Sequence, residues 1–203
     1  MAVSRDESDT DVPRVVDVEQ RRTELIDAAA RLIARSGIES ATMRDVAAEA
    51  GWTTGALTHY FSDKRVLLMA VFQDSLARRR VLRVDLESLE PNAKLRAALH
   101  GVLPIDDDHR RHWLVTIAFT STATGDAELA AAQQDAYREF RARMTCLVAA
   151  AKLTSIRQAE ALAEQLIAAA DGIAIQALFD TETWPAERQH AVLDAMISRL
   201  VLR

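Results

Sequence analysis

No segment of the chain alternates apolar and polar residues with the period of two that a half-buried β-strand requires. Apolar residues recur instead three and four positions apart, as in Leu25, Ala28, Ala29, Leu32 and Ile33, which form the stripe of an amphipathic helix. Alanine is the commonest residue, and the 203 residues include six glycines and four prolines, a composition that favours helices over turn-rich sheets. We therefore predict an all-α fold.

Breaks in this pattern predict the organisation of the chain. Residues 1–16 lack periodicity and are rich in acidic and small polar residues, so we expect a disordered acidic tail. Residues 17–65 are predicted to form a small helical domain, and residues 66–203 a larger helical bundle. After a long helix from Asp63 to about Ser88, helices are expected near 92–100, 107–124, 126–152, 155–179 and 186–202.

The charge of the chain does not exclude nucleic acid as a partner, and its cysteine content indicates a reducing compartment. The net charge of −5 owes much to the tail, whereas residues 14–65 carry eight basic and eight acidic side chains. The acidity of the whole chain therefore does not exclude nucleic acid. A single cysteine, Cys146, excludes an internal disulfide and stands in an apolar run, so we expect it to be buried in a cytoplasmic protein. We find no secretory signal, and the longest charge-free stretch, His112 to Gly125, is too short to span a membrane, so we expect no membrane partner.

The segment TMRDVAAEAGWTTGALTHYF, residues 42–61, carries the functional prediction. Thr42 can cap a helix from Met43 to about Ala50, and Gly51 can adopt the positive φ of a tight turn. Thr53 or Thr54 can then cap a second helix that ends near Tyr60. Two short helices joined in this way form a helix-turn-helix, and with the amphipathic helix that precedes them they make up a predicted three-helix DNA-binding domain.

The second of these helices should present hydroxyls, an imidazole and a phenol on its outer side, and it is narrow enough to enter a groove about 12 Å wide. Basic side chains flank the unit, among them Arg21 and Arg22, and Ser62 is expected to cap the following helix. Apolar side chains, namely Val46, Ala47, Leu57 and Phe61, are predicted to be core. The predicted contacts with double-stranded DNA are Thr42, Arg44, Thr53, Thr54, Gly55, Thr58, His59, Tyr60 and Lys64.

The run from Arg21 to Phe72 resembles the N-terminal DNA-binding domain of the TetR family of bacterial regulators. The segment DGIAIQAL, residues 171–178, resembles the C-terminal domain of the BetI-like branch. The resemblance implies a homodimeric transcription factor, usually a repressor, with a small-molecule pocket in its C-terminal bundle. Thr58 and Trp52 depart from the family pattern, where tyrosine and a smaller aliphatic residue are common, and this points to an unusual operator.

Candidate effector-binding residues come from aromatic and apolar positions of the C-terminal half. Such stripes also form ordinary cores, and a cationic ligand over a tryptophan or tyrosine ring is one possibility. The dimer is expected to pair helices 126–152 and 155–179, or 155–179 and 186–202, and to read a near-palindromic operator. The predicted effector site comprises Trp113, Ile117, Thr120, Tyr137, Phe140 and Met144.

Alternative functions have weaker support in the sequence. His109 and His112 stand three apart near acidic residues, but a capped helix start explains the acids, so we predict no metal site. The chain shows no nucleophile with a base at recognisable spacing and no glycine-rich phosphate loop, so we predict neither an enzyme nor a cofactor. Because helix-turn-helix units also occur as packing motifs, the remaining alternative is a protein-interaction module that does not bind DNA.

Overall fold

The computed structural model describes residues 18–78, 88–123 and 125–201. These residues form nine α-helices, two short 3₁₀ turns and no strand, which confirms the all-α prediction. The tail at 1–16 lies outside the described residues, as does the stretch 79–87 over which the sequence predicts that the fourth helix continues. The helices are α1 (Val18–Ser36), α2 (Met43–Glu49), α3 (Thr54–Tyr60), α4 (Lys64–Arg78), α5 (Pro91–His100), α6 (Asp107–Ala123), α7 (Ala127–Ala150), α8 (Ala159–Phe179) and α9 (Ala186–Val201).

Side-chain caps fix where the helices around the predicted DNA-binding unit begin. The hydroxyl of Thr53, not that of Thr54, caps α3 by accepting the Ala56 N–H at 3.2 Å. The prediction that Ser62 caps α4 is wrong. Asp63 stands at the three-residue spacing that reaches the Val66 N–H, and its Oδ1 accepts that N–H at 2.9 Å. The Ser62 hydroxyl donates instead to the other oxygen of the Asp63 carboxylate.

The N-terminal hydrophobic core unites α1 to α4 with parts of α6 and α7. The Phe72 ring of α4 stacks on Phe119 of α6 at 4.9 Å between centroids, and both rings are fully buried. Leu129 and Ala136 of α7 belong to the same cluster. Because α4 packs against α1 and α6 alike, its position links the predicted DNA-binding unit to the rest of the chain.

A second core fills the space between α5, α7, α8 and α9. Within the described residues, α8 alone is long and apolar enough to cross a membrane, but half of that apolar stretch is buried against neighbouring helices. Small residues such as Ala163 and Ala174 let these helices approach closely. The predicted burial of Cys146 is wrong. Its position on α7 faces solvent, while Met144 and Val148 face this core.

Arg65 joins the start of α4 to the start of α7. Its guanidinium donates to both carboxylate oxygens of Asp126, at 2.6 and 3.2 Å, and to Glu128 at 2.7 Å. Asp126 is the N-cap of α7 and also accepts backbone N–H groups there. The hydrogen bonds from Arg65, followed by those from the helix N–H groups, lower the pKa of Asp126 to about 2. The bridge therefore ties α4 to a helix that lines the C-terminal core.

Candidate nucleic-acid interface

The turn between α2 and α3 sets the angle between the two short helices. Gly51 adopts a φ of 73°, a left-handed conformation that residues with a Cβ rarely adopt. The next residue, Trp52, donates its backbone N–H to the Ala47 carbonyl at 2.8 Å, which closes the turn. Leu57 and Phe61 are fully buried beneath α3. The inner side of the unit is thus apolar and fixed.

The outer side of α3 is polar and open to solvent. Thr53, Thr54, Gly55, Thr58 and His59 are exposed. The Thr58 hydroxyl donates to the Gly55 carbonyl at 2.9 Å, which orients its side chain along the helix. This face therefore presents hydroxyls and an imidazole with little apolar surface between them.

Aromatic rings line one edge of this face. Tyr60 is half-buried, and its ring makes T-shaped contacts with Trp52 at 5.7 Å and with His59 at 5.5 Å between centroids. The guanidinium of Arg21, from the first turns of α1, lies 5.0 Å from the centre of the Trp52 ring. The sequence shows that Trp52 departs from the family pattern, but it does not show the contact with Arg21. That contact depends on how α1 crosses the turn between α2 and α3.

The predicted flanking contacts lie at the starts of α2 and α4. Thr42 caps α2 by accepting the Asp45 N–H at 3.2 Å, and Arg44 is exposed in the first turn of that helix. Lys64 is half-buried, and its Nζ donates to the Ile38 carbonyl at 3.3 Å. That bond places the ammonium beside the segment that leads into α2.

Glu49 fastens the far end of α2 to α1. It accepts hydrogen bonds from Arg35 at 3.0 Å and from Arg31 at 3.1 Å. These two hydrogen bonds, Arg35 first, lower the pKa of Glu49 below its usual range. The helix-turn-helix is therefore held against α1 by ion pairs at its solvent edge as well as by its core.

Residues 25–71 match the family described as bacterial regulatory proteins, tetR family. Residues 91–202 match a second family description, BetI-type transcriptional repressor, C-terminal. The second match covers more than half of the chain and accounts for all of the helices from α5 onward. The chain belongs to the TetR family of transcriptional regulators.

Curated relatives agree with this placement. The regulator is 31% identical over 173 residues to the HTH-type transcriptional regulator PksA of Bacillus subtilis (strain 168), which covers 83% of this chain and 84% of the relative. It is 24% identical over 192 residues to the HTH-type transcriptional regulator BetI of Vibrio atlanticus (strain LGP32), which covers 93% of this chain and 95% of the relative. Both likenesses extend well beyond the DNA-binding unit.

Solved structures share the fold. A transcriptional regulator from Rhodococcus sp. Rha1 is 28% identical, with a TM-score of 0.75, over 89% of this chain and 96% of the other. A protein from Saccharomonospora viridis, solved in complex with choline, is 21% identical with a TM-score of 0.76 over the same shares. The helix-turn-helix of this TetR-family regulator is thus a DNA-binding domain, as the sequence predicts.

A small cavity opens between α4, α7 and α8 in the C-terminal half of the regulator. Its volume is about 30 Å³, room for one or two water molecules. The Tyr137 hydroxyl donates to Asp171 Oδ2 at 2.9 Å at this cavity. Residues from α4 to α8 line it, namely Leu76, Val102, Gln133, Ala136, Tyr137, Phe140 and Asp171.

The structure places two of the six predicted effector residues in the lining of this cavity. Tyr137 and Phe140 line it, and buried Trp113 donates its indole N–H to the carbonyl of Val102, another lining residue, at 2.6 Å. Met144 is fully buried and Ile117 half-buried. Thr120 is exposed, and its hydroxyl donates to the Thr116 carbonyl.

Asp171 and Gln133 are lining residues that the sequence-based effector site omits. Asp171 begins the segment that resembles the BetI-like branch, so a signal for it was present. Gln133 has no comparable signal, because it stands among alanines on α7. Its side-chain oxygen is buried without a hydrogen-bond partner among the described residues. An unpaired buried acceptor beside a cavity is suited to a ligand that donates a hydrogen bond.

The two histidines considered for a metal site contact different partners. His109 Nδ1 lies 2.8 Å from Asp106 Oδ1 at the start of α6. His112 is buried, and its Nδ1 lies 3.3 Å from the Ser75 hydroxyl of α4. Burial, together with the cations Arg78 and Arg111, lowers the pKa of His112 to about 4. In the described part of the chain, no three histidine, cysteine or acidic side chains gather as a metal site would require.

Proposed function

We propose that this regulator is a ligand-responsive repressor that binds a near-palindromic operator as a homodimer. The observation that carries the proposal is the polar, solvent-exposed face of α3, fixed on an apolar base and flanked by Arg44 and Lys64. Hydroxyl and imidazole groups can reach base edges in a major groove, while the flanking cations meet phosphates. The proposed DNA contacts are Thr42, Arg44, Thr53, Thr54, Gly55, Thr58, His59, Tyr60 and Lys64.

Selection of duplexes from a random pool with the purified protein tests this part of the proposal. A near-palindrome should emerge, with half-sites about one helical turn apart, because two recognition helices of a symmetric dimer enter successive grooves. Enrichment of an asymmetric single site, or no enrichment at all, would contradict the proposal. A protein-interaction module would give no salt-dependent duplex binding.

Exposed apolar side chains on α8 and α9 support dimerisation through these two helices. Phe179 and Ile175 of α8 are 77% and 46% exposed, and Met196 of α9 is 38% exposed. The solvent side of α7 is charged instead, with Asp135 and Arg138 paired there. Burial of an apolar face stabilises a dimer, whereas burial of charged pairs costs desolvation. We therefore favour α8 with α9 over α7 with α8 as the interface.

Phe179→Asp tests the interface. It should shift the protein toward monomer in sedimentation velocity and abolish high-affinity binding to the full operator, because a buried carboxylate without a partner is costly. Val18→Asp is the matched control, since Val18 is 63% exposed on α1, away from α8 and α9. A Phe179→Asp protein that remains dimeric would refute the α8 and α9 interface.

The effector is proposed to be a small organic cation bound in an enlarged form of the Tyr137–Asp171 cavity. A carboxylate and a phenol ring side by side can hold a cation. The Phe140 ring already has a cation over it, because the Arg143 guanidinium lies 5.4 Å from its centre. We therefore propose Tyr137 and Asp171, and not Phe140, as the pair that binds the effector cation. The choline complex of the Saccharomonospora viridis protein agrees with this class of ligand. Because the cavity is small, the ligand has to displace the lining helices.

Movement of α4 is the proposed route from effector to operator. Leu76 of α4 lines the cavity, and Lys64 and Arg65 stand at the other end of the same helix. Displacement of α4 would change the spacing of the two recognition helices. A coupling free energy of about 1–3 kcal/mol would lower operator affinity roughly five- to 150-fold. Release of the selected duplex by quaternary ammonium compounds, and not by isosteric neutral alcohols, is the expected result of a titration. Equal release by both would exclude a cation-specific site.

A further inference from the structure

A shallow groove, wide open to solvent, lies beside the recognition helix α3, on the side where α1 begins. Arg21 carries the formal charge of its lining, since the remaining side chains there are neutral. The groove is lined by Arg21, Gly51, Trp52, Thr53, Ala56 and Tyr60. A largely aromatic surface that carries one cation, next to the proposed recognition helix, suits contact with a negatively charged backbone.

Arg21 differs from the other arginines of α1. Arg31 and Arg35 both bind Glu49, and Arg22 lies 4.0 Å from Glu19 and stacks on Phe61. Within the described residues, Arg21 has no carboxylate at ion-pair distance and contacts the Trp52 ring instead. An aromatic face attracts a cation without neutralising its charge. The positive charge of Arg21 therefore remains available to a phosphate.

Trp52 fixes the place of this charge. Its backbone N–H is bonded to the Ala47 carbonyl, and its ring makes a T-shaped contact with the Tyr60 ring. A guanidinium that lies over an aromatic ring keeps the N–H groups of its planar fork free to bind oxygen atoms. Fixing the side chain before DNA arrives reduces the conformational entropy that binding would otherwise lose.

We propose that Arg21 binds a phosphate of the operator backbone and that Trp52 is the positioning residue that holds Arg21 in place. This inference rests on the proposed function, because it assumes that the α3 face meets DNA. In this role Arg21 contributes to the affinity for DNA and to the position of the protein along the duplex. It does not recognise bases, since phosphates carry no sequence information directly.

A double-mutant cycle tests the proposal with two duplexes, the one selected from a random pool and an unselected duplex of equal length. Arg21→Ala should weaken binding to both by the same factor, on the order of tenfold. The slope of log affinity against log salt should fall by about 0.9 for each protomer engaged. Trp52→Leu, which keeps an apolar side chain but removes the aromatic face, should produce a loss in the same direction. The double variant should be no weaker than Arg21→Ala.

Two further variants separate positioning from folding. Trp52→Tyr keeps an aromatic face and should restore most of the affinity lost in Trp52→Leu. Arg188→Ala is the matched control, because Arg188 lies 4.9 Å from the Trp184 ring centre in the C-terminal bundle, in an arrangement like that of Arg21 and Trp52. It removes one cation from an arginine–tryptophan pair away from α3 and should leave the salt slope unchanged. Thermal unfolding of each variant checks that the fold is retained.

The outcomes distinguish this inference from the proposed function. If the wild-type protein binds neither duplex, the proposed function fails. If it binds but Arg21→Ala has the salt slope of Arg188→Ala, the phosphate contact is overturned. Additive losses for Arg21→Ala and Trp52→Leu, or no recovery in Trp52→Tyr, would overturn the positioning role of Trp52.

Discussion

The buried imidazole of His112 should make the regulator lose stability in mild acid. His112 is 3% exposed, and it faces Ser75 of α4 from its place on α6, near Arg78 and Arg111. Its pKa falls from 6.5 to about 4 on folding, mainly because burial disfavours the charged ring. The Asp27 carboxylate raises this pKa, whereas His109 lowers it, as Arg78 and Arg111 do.

The sign of the effect follows from proton uptake. As the pH falls below about 6.5, the unfolded chain binds a proton at this residue and the folded chain does not, so the unfolded state is stabilised. The penalty is absent near pH 8, grows to about 2 kcal/mol at pH 5, and levels off near 3 kcal/mol below pH 4. For a chain of this size, 2 kcal/mol corresponds to a fall in Tm of about 4–8 °C.

His112→Asn removes the titration and keeps a polar group near Ser75. We expect the difference in Tm between wild type and variant to change by about 4–8 °C between pH 8 and pH 5, in favour of the variant at acid pH. Measuring a difference cancels other titrating groups, including His190, whose pKa is also lowered by burial. Ser75→Ala is the control, because it keeps the buried imidazole and should keep the wild-type pH dependence. If the Tm of wild type and of His112→Asn changed equally between pH 8 and pH 5, the reasoning would be refuted.

Further predictions concern the interface and its link to the effector site. His59→Ala should weaken operator binding without lowering Tm, as measured by gel shift and thermal unfolding. Tyr60→Ala should also weaken binding, with some fall in Tm because its half-buried ring packs on Trp52. An unchanged gel shift for both variants would contradict the groove-facing placement. Lys64→Ala should weaken selected and unselected duplexes alike and reduce the salt slope by about 0.9 per protomer, so a constant slope would exclude a phosphate contact. Arg65→Gln breaks the bridge to α7 and should leave operator affinity nearly unchanged while weakening release by the effector. An unaltered effector titration would show that the bridge carries no coupling. Asp171→Asn should lower affinity for a quaternary ammonium effector at least tenfold in calorimetry with operator binding retained, and equal affinities would remove Asp171 from the site.

The sequence alone was sufficient for the helices and the DNA-binding unit because their determinants are local. Gly51 stands where the turn needs a positive φ, and Thr42 caps the helix that it precedes. The apolar period places Leu57 and Phe61 inside, so the polar side of α3 is left outside. One cap was misplaced, since Ser62 and Asp63 are neighbours of similar capping strength and the backbone geometry chooses between them.

Cys146 shows where local pattern fails. Its neighbours Leu147 and Val148 suggest an apolar run, but on a helix adjacent residues point about 100° apart, so a run says nothing of which member faces the core. Helical spacing fails in another way at Thr120. It shares a face of α6 with Trp113, but that face is buried at Trp113 and exposed at Thr120.

Contacts between residues far apart in the chain were decided only by tertiary structure. Arg65 meets Asp126, Tyr137 meets Asp171, and Arg21 meets Trp52, each across 31 to 61 positions that no periodicity relates. Capping, turn conformation and amphipathic period depend on residues within one helical turn of each other, so the sequence determines them directly. Which side chains of two helices come together depends on how those helices cross, and the packing of the whole core fixes that crossing.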